Sequence, residues 1–169
     1  MSEKNPIDLY FDMKEGRIKL AAKKSEKAPA LLDKYVAFLR VAYLVHQTGH
    51  WKCKSSEFYG NHLLFQRIYE DAADRTDEVA EKLIGLFGNS ALDDEGQLKL
   101  MYKLNHYNSD DRIANSLEVE EDFIKLATSV YETIKENGQM TLGLDDMIMN
   151  HVNKAETAVY LLKQAKSSD

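Results

Sequence analysis

Proline is almost absent from this 169-residue chain: Pro6 and Pro29 are the only two. Beyond residue 29 no ring clash or missing N–H interrupts a helix, so long helices are open to it. Cysteine is scarcer still. Cys53 stands alone, which excludes an internal disulfide and fits a reducing, cytoplasmic compartment. No apolar run approaches the roughly 18 residues of a membrane-spanning helix, so no membrane partner is expected. The N-terminus is polar and mixed in charge, unlike a secretory leader. Strand-like alternation and internal repeats are lacking. So are the phosphate-binding glycine loop, the dinucleotide fingerprint and the Gly-x-Ser-x-Gly nucleophile elbow.

What is present is a single domain's worth of chain, with 44% apolar and 30% charged residues. That is enough to bury a core without staples. The net charge of −6 opposes a generally DNA-coating surface, but it is unevenly spread. Residues 13–27 carry Lys14, Arg17, Lys19, Lys23, Lys24 and Lys27 against Glu15 and Glu26, a local +4 on a remainder of −10. This basic arm is either a solvated lead-in or a weak, non-specific contact for DNA phosphates.

Residues 1–28 read as an N-terminal extension with one short helix, and 29–169 as the folded domain. A long helix begins near Pro29, a residue suited to a first turn. Leu32, Tyr35, Val36, Leu39, Ala42, Tyr43 and His46 recur at three- and four-residue steps and make its buried stripe. A second helix is expected over residues 57–87, with Phe58, Phe65, Ile68, Tyr69, Ala72, Val79, Leu83 and Leu86 inward and Gly88-Asn89 as its stop. A short connecting helix follows over 92–104, then a loop over 105–115. A third long helix covers 117–136, with Phe123, Leu126, Ala127, Val130 and Ile134 inward. A fourth covers 142–166, with Leu144, Ile148, Val152, Ala155, Val159 and Leu162 inward. Four long helices and one short one predict an all-α four-helix bundle. The long second-to-third connection lets those two helices run parallel.

The chemistry concentrates in His50, His62, Asp77 and Glu81. Imidazole and carboxylate together suit first-row metals such as iron or zinc. His50 closes the first helix and His62 opens the second, so the short turn between them can make them neighbours. On the second helix Glu70, Asp74, Asp77 and Glu81 follow at steps of four, three and four and share one face. That stripe holds no compensating Lys or Arg; it is either a solvated acidic face or a set of ligands. His62 precedes Asp77 by fifteen residues, roughly 22 Å along a continuous helix, so the two cannot hold one ion within a protomer. Two copies packed antiparallel about a two-fold axis would bring them together, twice over. Alternatively His50 is simply a hydrogen-bonded core histidine.

Other arrangements are weaker. His46 and His50 are spaced for a metal pair but lack the glutamate of the zinc-protease motif, and His46 reads as core. The residues three before the five histidines are Tyr43, Gln47, Tyr59, Lys103 and Ile148, so the Glu-x-x-His motif of an intra-bundle di-iron site is absent. His106 and His151 have no evident partners. Cys53 lies between Lys52 and Lys54, which would lower its thiol pKa, or it is an incidental turn cysteine.

At these residues the sequence resembles the Dps family, the mini-ferritins within the ferritin-like superfamily. The pattern is His50-Trp51, a turn, Phe58, then His62, then Asp77-Glu78-Val79-Ala80-Glu81-Lys82. Two positions depart from it: Gln66 stands where the family has Asp, and Ser55 where a glycine is usual. The resemblance implies a ferritin-like bundle over about residues 30–165 and assembly into a hollow homo-oligomeric dodecamer. It implies a ferroxidase that oxidises Fe(II), preferentially with hydrogen peroxide, stores ferric iron and so limits oxidative damage. It also implies metal ligands at His50 and His62 from one subunit and Asp77 and Glu81 from its mate, with Trp51 beside the centre as a local electron source. The rival readings are a shell protein with a degraded iron centre and a DNA-binding protein that uses the basic arm.

Overall fold

The alternation of apolar stripes and polar faces produces five α-helices and no strand among the described residues. The structure, a computed structural model, describes residues 26–54 and 56–166. Most of the basic arm, the short helix expected in the extension and Ser55 lie outside those residues. The helices are α1 (Ala28–Lys52), α2 (Phe58–Phe87), α3 (Asp94–Leu104), α4 (Arg112–Glu136) and α5 (Leu142–Lys166). A 3-10 turn, Asn89–Ala91, precedes α3. None is long and apolar enough to cross a membrane.

Pro29 does sit in the first turn of α1. Gly88, with φ of 86°, ends α2 in a conformation that a side chain would strain. The third long helix starts earlier than its sequence suggests, at Arg112. Asp111 caps it, its carboxylate accepting from the Ala114 N–H at 2.9 Å. Asn115 and Ser116 look like loop residues, yet both are buried in α4 because they find tertiary partners. Asn115 bonds the Ser109 carbonyl, and Ser116 bonds His46.

Named contacts fix the directions. Tyr35 packs on Phe123 while His46, further along α1, meets Ser116, so α1 and α4 run antiparallel. Asp71 pairs with Lys154 and Glu78 with His151, so α2 and α5 run antiparallel. Arg75 reaches Glu120, and Phe65 packs near Ile113 and Leu117. As α2 advances so does α4, and the two are parallel. The segment from Gly88 to Asp111 makes the return this requires.

Leu32, Tyr35, Val36, Phe38, Leu39, Phe123, Val130, Ile134, Leu144 and Ile148 form the main core. Burying side chains of this size contributes about 1.5–3 kcal/mol each before entropy is counted. Two residues expected inward are not: Phe58 is 46% and Leu86 43% exposed, each at an end of α2 beyond the packing of its neighbours. Tyr43, Tyr69, Val152 and Val159 are half-buried.

The core centre is polar. Arg75 and Glu120 are both fully buried, with Arg75 Nη2 donating to Glu120 Oε1 at 2.8 Å. Buried His46 sits 2.8 Å from the same oxygen through Nε2, and the guanidinium lies 4.8 Å over the Phe123 ring. Asp71 Oδ2 approaches Arg75 Nε at 2.9 Å but out of line, leaving that N–H without a good hydrogen bond. Burial alone would raise the Glu120 pKa, but Arg75 and His46 outweigh it and hold the carboxyl near 2.

Candidate metal centre

Two helix ends and one small residue bring the histidine pair together. Gly49 lies against Phe65 so closely that an added Cβ would fall 2.6 Å from the ring. That close approach seats the last turn of α1 on the second turn of α2. The His50 and His62 rings then stack with centroids 3.7 Å apart, at 22°. Phe58 stacks on the far side of His62 at 5.2 Å, and Tyr69 meets His50 edge-on at 5.3 Å.

The pair is tied by reciprocal hydrogen bonds. His50 Nδ1 donates to the His62 carbonyl at 2.9 Å, and His62 Nδ1 donates to the His50 carbonyl at 3.0 Å. A carbonyl oxygen can only accept, so both Nδ1 atoms carry the proton. In the neutral rings Nε2 then holds the free lone pair and is the nitrogen open to a metal. Both side chains are half-buried, so neither is the core histidine that His50's place on the stripe also allowed.

The carboxylates lie elsewhere. α2 is one unbroken helix of 30 residues, so Asp77 is roughly 22 Å from His62 along its axis. Asp74, Asp77 and Glu81 are exposed, and among the described residues none has an ion-pair partner. A single protomer therefore does not gather His50, His62, Asp77 and Glu81 into one group. Gln66, one turn beyond His62, donates from Nε2 to Glu70 Oε1 at 2.8 Å. Trp51, beside His50 in sequence, is 67% exposed.

Of the two readings of Cys53, the turn cysteine is the one the structure supports. Its thiol is buried rather than presented to Lys52 and Lys54, and burial raises its pKa. Its Sγ reaches the His50 carbonyl at 3.4 Å, so it supports the turn. His46 and His50 form no metal pair either, because both nitrogens of His46 are engaged inside the bundle. His151 is buried between Tyr35 (3.3 Å) and Glu78 (3.1 Å), partners that lie on other helices and leave no local signal in sequence. Among the described residues, the one cluster of three or more His, Cys, Asp or Glu side chains close enough to share an ion is His106, Glu118 and Asp122, which sequence reasoning missed.

Comparison with known proteins points one way. The model of the ferritin-like domain matches residues 29–164. General stress protein 20U of Bacillus subtilis (strain 168) is 33% identical over 64 residues, 38% of this chain and 44% of that protein. The DNA protection during starvation protein of Porphyromonas gingivalis is 34% identical over 68 residues, 39% of this chain and 43% of that protein. The chain thus spans less than half the length of these curated relatives. Among solved structures, Dps from Thermosynechococcus elongatus superposes with a TM-score of 0.71 at 23% identity, covering 81% of this chain and 88% of that one. A Vibrio cholerae O1 Dps protein, described as a member of the ferritin-like diiron-carboxylate superfamily, gives 0.69 at 22% identity, covering 81% and 87%.

Proposed function

The chain belongs to the ferritin-like domain family, among the Dps mini-ferritins, and from that premise we propose that it is an iron-oxidising storage protein with centres shared between protomers. Iron is its substrate and cargo. His50 and His62 present paired Nε2 atoms from one protomer, and Asp77 and Glu81 supply charge from its two-fold mate. The observation that carries this reading is the locked histidine pair at one end of an unbroken α2 whose exposed carboxylates lie far down the same helix. A two-fold contact that sets one histidine end against the other acidic end completes two sites at once.

The mechanism follows from the donors. Neutral imidazoles and ionised carboxylates bind Fe(II), so loading weakens on acidification. The carboxylates favour the more highly charged Fe(III) product. Hydrogen peroxide takes one electron from each of two Fe(II) ions and, with two protons from solvent, leaves as two waters, giving two Fe(III). Trp51, exposed in the protomer and next to His50 in sequence, serves in this reading as a local electron source. A homo-oligomeric shell, a dodecamer by family likeness, would enclose the ferric product. Weak DNA contact through residues 13–27 is a secondary part of the proposal and rests on charge alone.

The test is anaerobic Fe(II) loading followed by a stoichiometric pulse of hydrogen peroxide, read by ferric absorbance. Fast oxidation in the native protein, lost in His62→Ala and in Asp77→Ala with assembly intact, is expected. Equal slow traces in all three would leave a shell protein whose centre has decayed, the reading that Gln66 favours.

A further inference from the structure

The segment between α3 and α4 folds back onto α4 and places His106 beside Glu118 and Asp122. One ligand atom from each lies within 4.8 Å of the others. We propose that these three residues form a second divalent-cation site, separate from the His50–His62 pair, that takes a first-row transition ion of the Zn(II) or Fe(II) class.

Four features support it. First, His106 Nδ1 donates to the Leu104 carbonyl at 2.9 Å, which leaves Nε2 as the free donor of the neutral ring. Its ring stacks on buried Tyr107 with centroids 4.2 Å apart, so its orientation is set before any ion arrives. Second, the Tyr107 hydroxyl donates to Asp122 Oδ2 at 3.2 Å, the outer hydrogen bond that commonly orients a ligating carboxylate. Third, Glu118 and Asp122 are four residues apart on α4 and share a face. Exposed Glu118 has no ion-pair partner among the described residues. Fourth, a cation is already drawn there: Lys125 Nζ lies 2.8 Å from Asp122 Oδ1, on a side chain 66% exposed and free to swing away.

Ligands at ~2.0–2.2 Å from an ion stand about 3–3.5 Å from one another, so closure needs only a small rotation of the exposed Glu118. One imidazole with two carboxylates favours a transition ion over magnesium or calcium, which prefer oxygen alone. Three protein donors leave positions for water. The ion would displace the Lys125 ammonium and tie residues 105–111 to α4.

Co(II) is the probe, titrated anaerobically into the full-length protein and followed by equilibrium dialysis and ligand-field absorption. His106→Ala and Glu118→Gln are each expected to lose one Co(II) per protomer that His62→Ala retains. Glu118 is exposed, so its variant keeps the fold. Lys125→Gln is expected to tighten that equivalent roughly two- to fivefold, the worth of an exposed ion pair. Equal stoichiometry and spectra in native protein, His106→Ala and Glu118→Gln would overturn the site. Loss of the same equivalent in His62→Ala would also overturn it, by assigning that ion to the other histidines. Iron oxidation is not read, so failure of the ferroxidase proposal leaves this result standing.

Discussion

His50 and His62 hold each other by their main chains: each Nδ1 bonds the other residue's carbonyl oxygen, at 2.9 and 3.0 Å. The pair therefore does not depend on a third residue for its tautomer. Preorganisation of this kind lowers the ordering cost of capturing an ion.

If the centre is shared, two inactive variants complement one another. His62→Ala and Asp77→Ala subunits, co-assembled in equal amounts, give mixed pairs in which one site carries both lesions and the other is intact. Random pairing restores about one quarter of the sites. Peroxide-driven oxidation in the mixture, against none in either parent, is the expected result. An inactive mixture that contains mixed pairs would rule out sharing.

Gln66 occupies the turn after His62 and spends its amide N–H on Glu70. A carboxylate there adds charge next to the proposed centre and removes that donor. Gln66→Asp is expected to tighten Fe(II) binding about tenfold, the scale on which groups neighbouring a site act. Anaerobic Fe(II) titration checks it, and unchanged affinity would place Gln66 outside the centre.

Gly49 admits the Phe65 ring where a methyl group would clash. Gly49→Ala forces α1 and α2 apart at the histidines and costs about 1–3 kcal/mol. Chemical denaturation measures that loss. Weaker Fe(II) binding is expected with it, since the two imidazoles separate.

The interior charge pair responds asymmetrically to mutation. Arg75→Met strands a buried Glu120 carboxylate and costs about 3–5 kcal/mol. Arg75→Met with Glu120→Leu removes more groups but strands fewer charges, and is expected to be the more stable of the two. Urea midpoints of the pair decide it.

Acid acts on the fold in two stages. Burial pushes the His151 pKa below its ordinary 6.5 despite Glu78. The unfolded chain therefore takes up this proton first, and the stability present above 6.5 erodes as pH falls below it. Glu120, held near 2 against an ordinary 4.5, adds stability that is complete above 4.5 and lost as pH falls from there toward 2. Thermal midpoints measured downward from neutral pH should show both stages. His151→Gln is expected to remove the first, and an unaltered profile in that variant would assign it elsewhere.

Much of this was legible in the chain. The fourth long helix spans Leu142–Lys166 as its periodicity predicts, and the second ends at Phe87 before Gly88. The neighbourhood of His50 and His62 follows from a short turn between two strong helices. The start of α4 did not, because Asn115 and Ser116 are polar for reasons found on other elements. Arg75 and Glu120 read as surface charges in any window, since only their pairing makes burial tolerable. His106 escaped because its partners lie 12 and 16 residues ahead, on the next helix.

The guanidinium of Arg75 sits with Glu120 and His46 in the middle of the bundle, the region where ferritin-like proteins can build a centre from inward carboxylates. Here the chain brings its own permanent cation. The charge that would neutralise Glu120 at that position is therefore covalently part of the chain and present from synthesis onward. The interior is thereby charge-balanced by the sequence itself, before anything outside the protomer is bound.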